Sequence, residues 1–392
     1  MIKSIWIEHF KSLSHVSLSL EDVSVIVGGN STGKSNFIDA IAFLRDCVVH
    51  GLDHAVSERH GIDSIVQWSP TRPYNLDISA RYATDYGEGH YSLKLSSKSR
   101  QPIIIEEYGA WKSPQQEIMS SFTRTKNEVY FSGLQGKNPD ELKRYTRRVQ
   151  EDELTISSLK IVPISSAQPF RHLNRAISDF RIYNIYPNTI RSPQKSSNEH
   201  ELTSAGDNLN SVLKQMVSSK SIPTKVKYQE ILGSMAKIIP NLDRVLVRYV
   251  SGLLWPIFEV RESAGRGHQF NVSQISDGAL RFLGILTALY QPYPPRVIAI
   301  EEPEQNIHPG ALSLLAEAFK DISKEIQIIT TTHSPHMLDF FDVKNIYATE
   351  YTDGKTIIGH ISKQQKEAIS ARLLTAGEVM TAQGFEVEPK VS

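Results

Sequence analysis

Eight residues near the N-terminus, Gly28-Gly29-Asn30-Ser31-Thr32-Gly33-Lys34-Ser35, fit the pattern G-x-x-x-x-G-K-[ST]. A glycine-rich turn that opens a helix aims backbone N–H groups and the positive end of the helix dipole at one point, which is the chemistry of a phosphate cradle. In such a P-loop Lys34 would reach the β- and γ-phosphates and the Ser35 hydroxyl would ligate Mg²⁺. Far down the chain Glu301-Glu302-Pro303-Glu304 sets two adjacent carboxylates at the end of an apolar run, the Walker B arrangement. There Glu301 would hold the metal and Glu302 would orient and deprotonate the attacking water. An Asp is common at the first position, and the extra methylene of Glu301 favours a metal contact through water. Thr332-His333-Ser334-Pro335 ends the next apolar run, where His333 could donate a hydrogen bond to the γ-phosphate or the water. The turn Ser276-Asp277-Gly278 precedes a strongly apolar stretch, with Ser276 or Asp277 as a natural N-cap.

These groups need elements to hold them. Val23, Val25, Ile26 and Val27 read as a buried strand before the loop, and 36–44 has the apolar spacing of a helix after it. Residues 296–301 and 326–332 read as strands of a parallel sheet, and 279–290 as a helix. Taken singly, each motif is also a glycine turn, an acidic strand end, a capping histidine or a capped helix. Their combination carries the nucleotide reading.

In this order the four segments resemble the ABC-type ATPases of the RecF, SMC and OLD (overcoming lysogenization defect) group. The opening Ile5-Trp6-Ile7-Glu8-His9-Phe10-Lys11-Ser12-Leu13, Ile307-His308-Pro309 and Asp207-Asn208-Leu209 are similar to that group too. The resemblance implies an α/β fold: a P-loop NTPase of the ABC-type ATPase head kind, with a flanking antiparallel β-sheet and an inserted helical or lid region. It implies ATP and Mg²⁺ as cofactors, with Ser276, Asp277 and Gly278 as a signature motif touching the nucleotide of a second subunit. A homodimer or higher homo-oligomer follows from that, and Gln67 is the candidate for the family's Mg²⁺-sensing glutamine. OLD nucleases carry a Toprim nuclease domain with an Asp-x-Asp cluster after the ATPase. Only 59 residues follow His333 here, so the resemblance is to stand-alone ATPases of anti-phage defence modules. Such an ATPase would control a separate effector protein, possibly a nuclease. A RecF-like clamp on duplex DNA and an ATP-binding scaffold with little turnover are the other two readings.

Motif spacing organises the chain. Lys34 and Ser276 are 242 residues apart, whereas the signature, Walker B and histidine motifs fall within sixty. Residues 1–90 and 270–360 are therefore expected to form a discontinuous nucleotide-binding core, 91–269 an inserted β and helical region, and 361–392 a C-terminal helix and tail. In the insertion 74–82 and 91–95 read as strands, 138–160 as polar helix, 209–217 and 228–239 as helices, and 258–260 with 268–272 as a strand pair. No heptad run is long enough for an SMC-type coiled coil.

With 43 basic and 43 acidic residues the formal net charge is zero, so nothing global points to nucleic acid. Two local basic series could neutralise phosphates: Lys143-Arg144-Tyr145-Thr146-Arg147-Arg148, and Arg171, Arg175, Arg181, Arg191 and Lys195 interleaved with Tyr183 and Tyr186. Either could equally be a solvated helix face. The lone Cys47 excludes an internal disulfide or a Cys-based zinc site. No apolar stretch would span a bilayer and the N-terminus is broken by charges, so a cytoplasmic location is expected.

Overall fold

The computed structural model describes residues 1–69, 74–98, 100–115, 119–133, 153–160, 167–261 and 267–388. Most of the expected 138–160 helix, the whole 143–148 basic run and the 262–266 loop lie outside them. The described residues form a mixed α/β fold of two compact units. The first comprises 1–180, 343–374 and 382–392, and the second 181–342 and 375–381. Between the phosphate loop and the signature turn the division falls after Phe180: the described residues before it belong to the first unit and those from Arg181 on to the second.

The first unit is built on strands β1 (Ile2–Phe10), β2 (Leu13–Ser19), β3 (Val23–Val27), β4 (Leu76–Thr84), β5 (Gly87–Lys98), β6 (Gln101–Lys112), β7 (Ser120–Thr125) and β8 (Glu128–Ser132). A late hairpin, Ile346–Thr352 with Lys355–His360, joins them. The order is β8-β7-β6-β5-β4-β1-β2, then Lys355–His360, Ile346–Thr352 and β3. Between β1 and β8 every pairing is antiparallel, and β3 runs parallel to Ile346–Thr352. The change of pairing is legible in burial. In β4 Leu76, Ile78, Ala80 and Tyr82 are buried and alternate with less buried residues, the period of a one-sided sheet, while all five residues of β3 are buried, as in a strand covered on both faces. The antiparallel part carries its own core, with Phe122 edge-on to Phe170 of the helix Gln168–Ser178 at 5.4 Å. Buried Glu107 of β6 accepts N–H bonds from Thr155 (2.7 Å) and Ile156 (3.0 Å), capping the helix Thr155–Lys160.

The second unit has β9 (Phe180–Tyr183) at its border, then β10 (Gln194–Lys195), β11 (Leu242–Val250), β12 (Leu253–Arg261), β13 (Gly267–Asn271), β14 (Val297–Glu301) and β15 (Gln327–Thr332). β15, β14 and β9 are neighbours in that order, β14 and β15 parallel. A second sheet sets β11 on one edge of β12, with β10 and β13 on the other. The expected strand pair is present, with Phe258 opposite Phe270. The helix Ile222–Ala236 starts earlier than its apolar pattern suggested, behind Ser221, with Pro223 as its second residue, where a proline is already set for the first turn. The helix Asp277–Tyr290 is buried along nearly its whole length. Among the described residues no helix is long and apolar enough to cross a membrane.

Candidate functional site

The first unit positions the phosphate loop. β3 ends at Val27 and the helix Lys34–His50 begins behind Gly33, so Gly28–Ser35 is the strand-to-helix turn. Ser31 (φ 60°) and Gly33 (φ 98°) adopt left-handed backbone, which curls the loop; at Gly33 only glycine does so without strain. Gly28 and Gly33 have a second reason to lack a side chain. A Cβ on Gly28 would sit 2.0 Å from Thr349 Oγ1, and one on Gly33 would sit 2.3 Å from Thr356 Oγ1.

Those two threonines belong to a shelf of hydroxyls beneath the loop. Thr32 Oγ1 and Thr349 Oγ1 are 2.5 Å apart, Thr356 Oγ1 donates to Thr32 O (2.9 Å), and Ser12 Oγ meets Thr356 Oγ1 at 2.7 Å. Asn36 Nδ2 donates to Ser12 Oγ (2.8 Å) and ties the helix to the same shelf. Ser12 belongs to the opening segment that resembles the ATPase group, but nothing in the local pattern marks Thr349 and Thr356, which lie more than 300 residues from the loop. Lys34 is 6% exposed; its Nζ donates to Gly28 O (3.0 Å) and Gly29 O (2.7 Å), so its charge sits over the loop. Ser35, in the first helical turn, is exposed, as are Gly29, Asn30 and Ser31 at the tip. The helix is held from behind: Arg59 bonds Asp39 and Asp46 at 2.8 and 3.0 Å, and Lys11 bonds Asp39 at 2.7 Å. The cradle has the shape and donor set that a phosphate chain with Mg²⁺ requires: glycines where any Cβ would collide, a lysine ammonium, and an exposed hydroxyl at the helix start. Gln67 is buried and follows Val66, which bridges to Phe10; its N–H donates to His9 O (2.9 Å), anchoring it to the end of β1.

The second unit gathers the acids and the histidine. Glu301 is the last residue of β14, opposite Thr331 of β15. Glu302 follows in left-handed backbone (φ 43°), a strained conformation for a glutamate. Its N–H donates to Thr331 O and Oγ1, both 3.1 Å. His333 Nε2 lies 3.1 Å from Glu302 Oε1, and Gln305 Nε2 donates to the other carboxylate oxygen. Glu304, unremarked as a site residue in the sequence, fixes the histidine from the backbone side: its Oε1 accepts from His333 N (2.8 Å) and Thr332 Oγ1 (2.6 Å). His333, expected as a donor toward phosphate or water, is in direct contact with Glu302.

The signature turn is in the same unit. Ser276 is the N-cap, its Oγ accepting from Ala279 N (3.3 Å), which settles the choice between Ser276 and Asp277. The Asp277 carboxylate bonds Arg191 at 2.7 Å, and Arg191 also donates to Ile275 O (2.9 Å). Gly278 packs directly on the segment after the acids, where a Cβ would meet Asn306 O at 2.3 Å. Arg281, one turn further along, is a residue that sequence reading missed. It is 3% exposed and donates to Ile185 O (3.0 Å), Glu301 O (3.3 Å) and Glu302 O (2.9 Å). Burial pulls its pKa down, opposed by Tyr186, Glu304 and Glu302.

In the second basic series the two tyrosines differ, with Tyr186 exposed and Tyr183 in the core. Tyr183 is buried with its hydroxyl accepting from Gln291 Nε2 (2.8 Å), and Arg181 and Arg191 are paired with Glu201 and Asp277.

Over 361 residues the chain is 23% identical to the Old nuclease of Escherichia phage P2, covering 86% of this chain and 57% of that protein. It therefore spans little more than half of that relative's length. Among solved structures it is similar to an SMC head bound to the C-terminal winged-helix domain of ScpA (16% identity, 94% and 99% of the two chains covered, TM-score 0.53). It is also similar to an SMC head with an extended coiled coil derived from Pyrococcus furiosus (14%, 95% and 99%, TM-score 0.50). At these identities the likeness is one of fold, and the fold is that of an SMC-type P-loop ATPase head. A family model described as "AAA domain, putative AbiEii toxin, Type IV TA system" matches residues 23–339, from the strand before the phosphate loop to just past the histidine, and the chain belongs to that family.

Proposed function

We propose that this protein is an ATP-binding and ATP-hydrolysing switch of the ABC type that pairs its heads around nucleotide and controls a separate effector. The observation that carries the reading is the Glu302–His333 pair at 3.1 Å on a strained residue at the end of β14. Backbone strain of this kind persists where surrounding contacts enforce it, and it concentrates at functional sites. Magnesium–ATP, when bound, supplies the anhydride that is cleaved and the charge that polarises it. Lys34 and the loop amides would hold the β- and γ-phosphates, and Ser35 with Glu301 would hold the metal, Glu301 through water. Gln67 would contact the metal from the end of β1. Glu302 would take the proton of the attacking water, its carboxylate aimed by His333 and Gln305. Asn30, Ser31 and Thr32 would line the cradle, and Ser276, Asp277 and Gly278 would present exposed N–H groups to the nucleotide of a second copy.

The effector part of the proposal draws on the family's description, which names a toxin of a toxin–antitoxin system, and on the phage-encoded relative; a role in anti-phage defence follows the same line. The test is ATP turnover and calorimetric binding for the wild type and Lys34→Ala. Loss of the ammonium should weaken ATP binding by roughly 1.5–3 kcal/mol or more, the worth of a charge-assisted contact. Unchanged affinity would remove the loop as the site. A wild-type protein that binds ATP but turns over at background would support the scaffold reading, and a steep salt dependence of duplex DNA affinity would support the clamp.

A further inference from the structure

We propose that Arg281 is the positioning residue that couples the signature turn to Glu302, an inference that rests on the ATPase reading above. Arg281 is the one charged side chain among the buried residues of its helix: Ala279, Leu280, Phe282, Leu283, Ile285 and Leu286 lie around it in the core, and buried Thr287 spends its hydroxyl on Leu283 O (2.8 Å). A guanidinium placed in that row is costly unless its donors are used, and here they are spent on main-chain carbonyls of the acid segment. The choice of carbonyls matters. Glu301 O belongs to the peptide plane that precedes Glu302, and Glu302 O to the plane that follows it. Gripping both planes fixes both backbone torsions of Glu302 and holds the left-handed conformation at φ 43°. The Ile185 carbonyl anchors the other side of the guanidinium, and the cation lies 5.9 Å from the Tyr186 ring centroid.

Arg281 also stands on the helix that Ser276 caps, five residues beyond the cap. Any displacement of the signature turn along or about that helix therefore moves the two peptide planes that orient the Glu302 carboxylate. The device has unspent capacity: Arg281 Nε and Glu304 Oε2 are buried, opposite in charge, and each without a hydrogen-bond partner among the described residues. Glu304, whose charge acts on Arg281, in turn accepts the His333 N–H. A lysine cannot reproduce this grip, since a single ammonium lacks the planar fork that reaches carbonyls on two sides.

The test is a double-variant cycle of Arg281→Lys and Glu302→Gln, reading kcat and KM for ATP together with the thermal midpoint. Arg281→Lys alone should lower kcat about ten- to a hundredfold with KM changed less than about twofold, the signature of an interaction expressed in the transition state. In the Glu302→Gln background the same change should alter kcat less than about twofold, because the group it positions is already disabled. Equal fold losses in the two backgrounds would make Arg281 a structural residue only and overturn the proposal, as would an unaffected kcat in the single variant. A Glu302→Gln protein with wild-type turnover instead removes the underlying base assignment, and this inference with it. Should Arg281→Lys not yield folded protein, Arg281→Gln, whose amide still donates to one carbonyl, takes its place in the cycle.

Discussion

Replacing Glu302 with glutamine tests whether this carboxylate does chemistry or only closes a turn. The two are separable because the surroundings of Glu302 accept an amide. One carboxylate oxygen faces His333 Nε2 at 3.1 Å and the other accepts from Gln305 Nε2. An amide oxygen turned toward Gln305 keeps that bond, and the amide NH₂ then faces the His333 ring, whose nitrogen can accept in its other neutral tautomer. The side chain is 31% exposed, so the lost electrostatic contact is of the partly solvated kind, worth less than about 1 kcal/mol to folding. Loss of a general base instead costs on the order of 10²–10⁴ in rate, or roughly 3–5.5 kcal/mol in the barrier. The expected result is a variant with a nearly unchanged melting temperature and ATP affinity, and phosphate release at most about a hundredth of wild type. Phosphate release measured beside a binding isotherm reads both quantities on one preparation. Near wild-type turnover would refute the assignment and shift attention to Glu301 or His333; a large loss of stability would show that the turn, rather than the chemistry, requires the acid.

Two further outcomes follow from the geometry. Gly33→Ala places a Cβ 2.3 Å from Thr356 Oγ1 on a residue with φ 98°, so it should lose roughly 1–3 kcal/mol of stability and most ATP affinity. Gly29→Ala, whose Cβ would meet only Thr32 Cγ2 at 3.5 Å, should fold as well as wild type; equal thermal midpoints for the two variants would contradict the packing described for the loop. Ser276→Arg should leave ATP binding intact, cost about 1 kcal/mol through the lost N-cap, and abolish ATP-dependent self-association and hydrolysis together. Light scattering with and without ATP checks it, and mixing with Lys34→Ala should restore partial turnover. A Ser276→Arg protein that hydrolyses ATP normally as a monomer would reduce the turn to a helix cap.

Wherever an element depends on the residues within it and beside it, it was legible in the sequence. Gly28–Ser35, the strand Val23–Val27 and the helix after it form one local unit, and they appear where the pattern puts them. The same holds for the Ser276-capped helix and for the strands carrying Glu301 and His333, because apolar runs of this length have one way to be buried. Helix starts were less legible: Ile222–Ala236 begins in a polar stretch whose cue is Pro223 rather than hydrophobic spacing. The burial of Tyr183 beside an exposed Tyr186 was not legible, because an interleaved Arg/Tyr series looks alike whether its rings face solvent or core.

The sequence by itself determined the groups on offer: a glycine-rich loop ending in a lysine and a serine, paired carboxylates, a histidine and a capped turn, each written in a few adjacent residues. Only the tertiary structure decided how those groups are held. Thr349 and Thr356 come under the phosphate loop because a late hairpin pairs beside β3, and no local pattern announces a contact made across more than 300 residues. Glu302 is strained, and Arg281 grips the peptides on either side of it, because the signature helix packs its fifth residue against the end of β14. A buried arginine in an apolar helix reads as an anomaly in one dimension. It finds its partners once folding sets Nη2 against the carbonyls on either side of Glu302 and Nη1 against Ile185 O, since hydrogen-bond geometry is a property of atoms brought together in space.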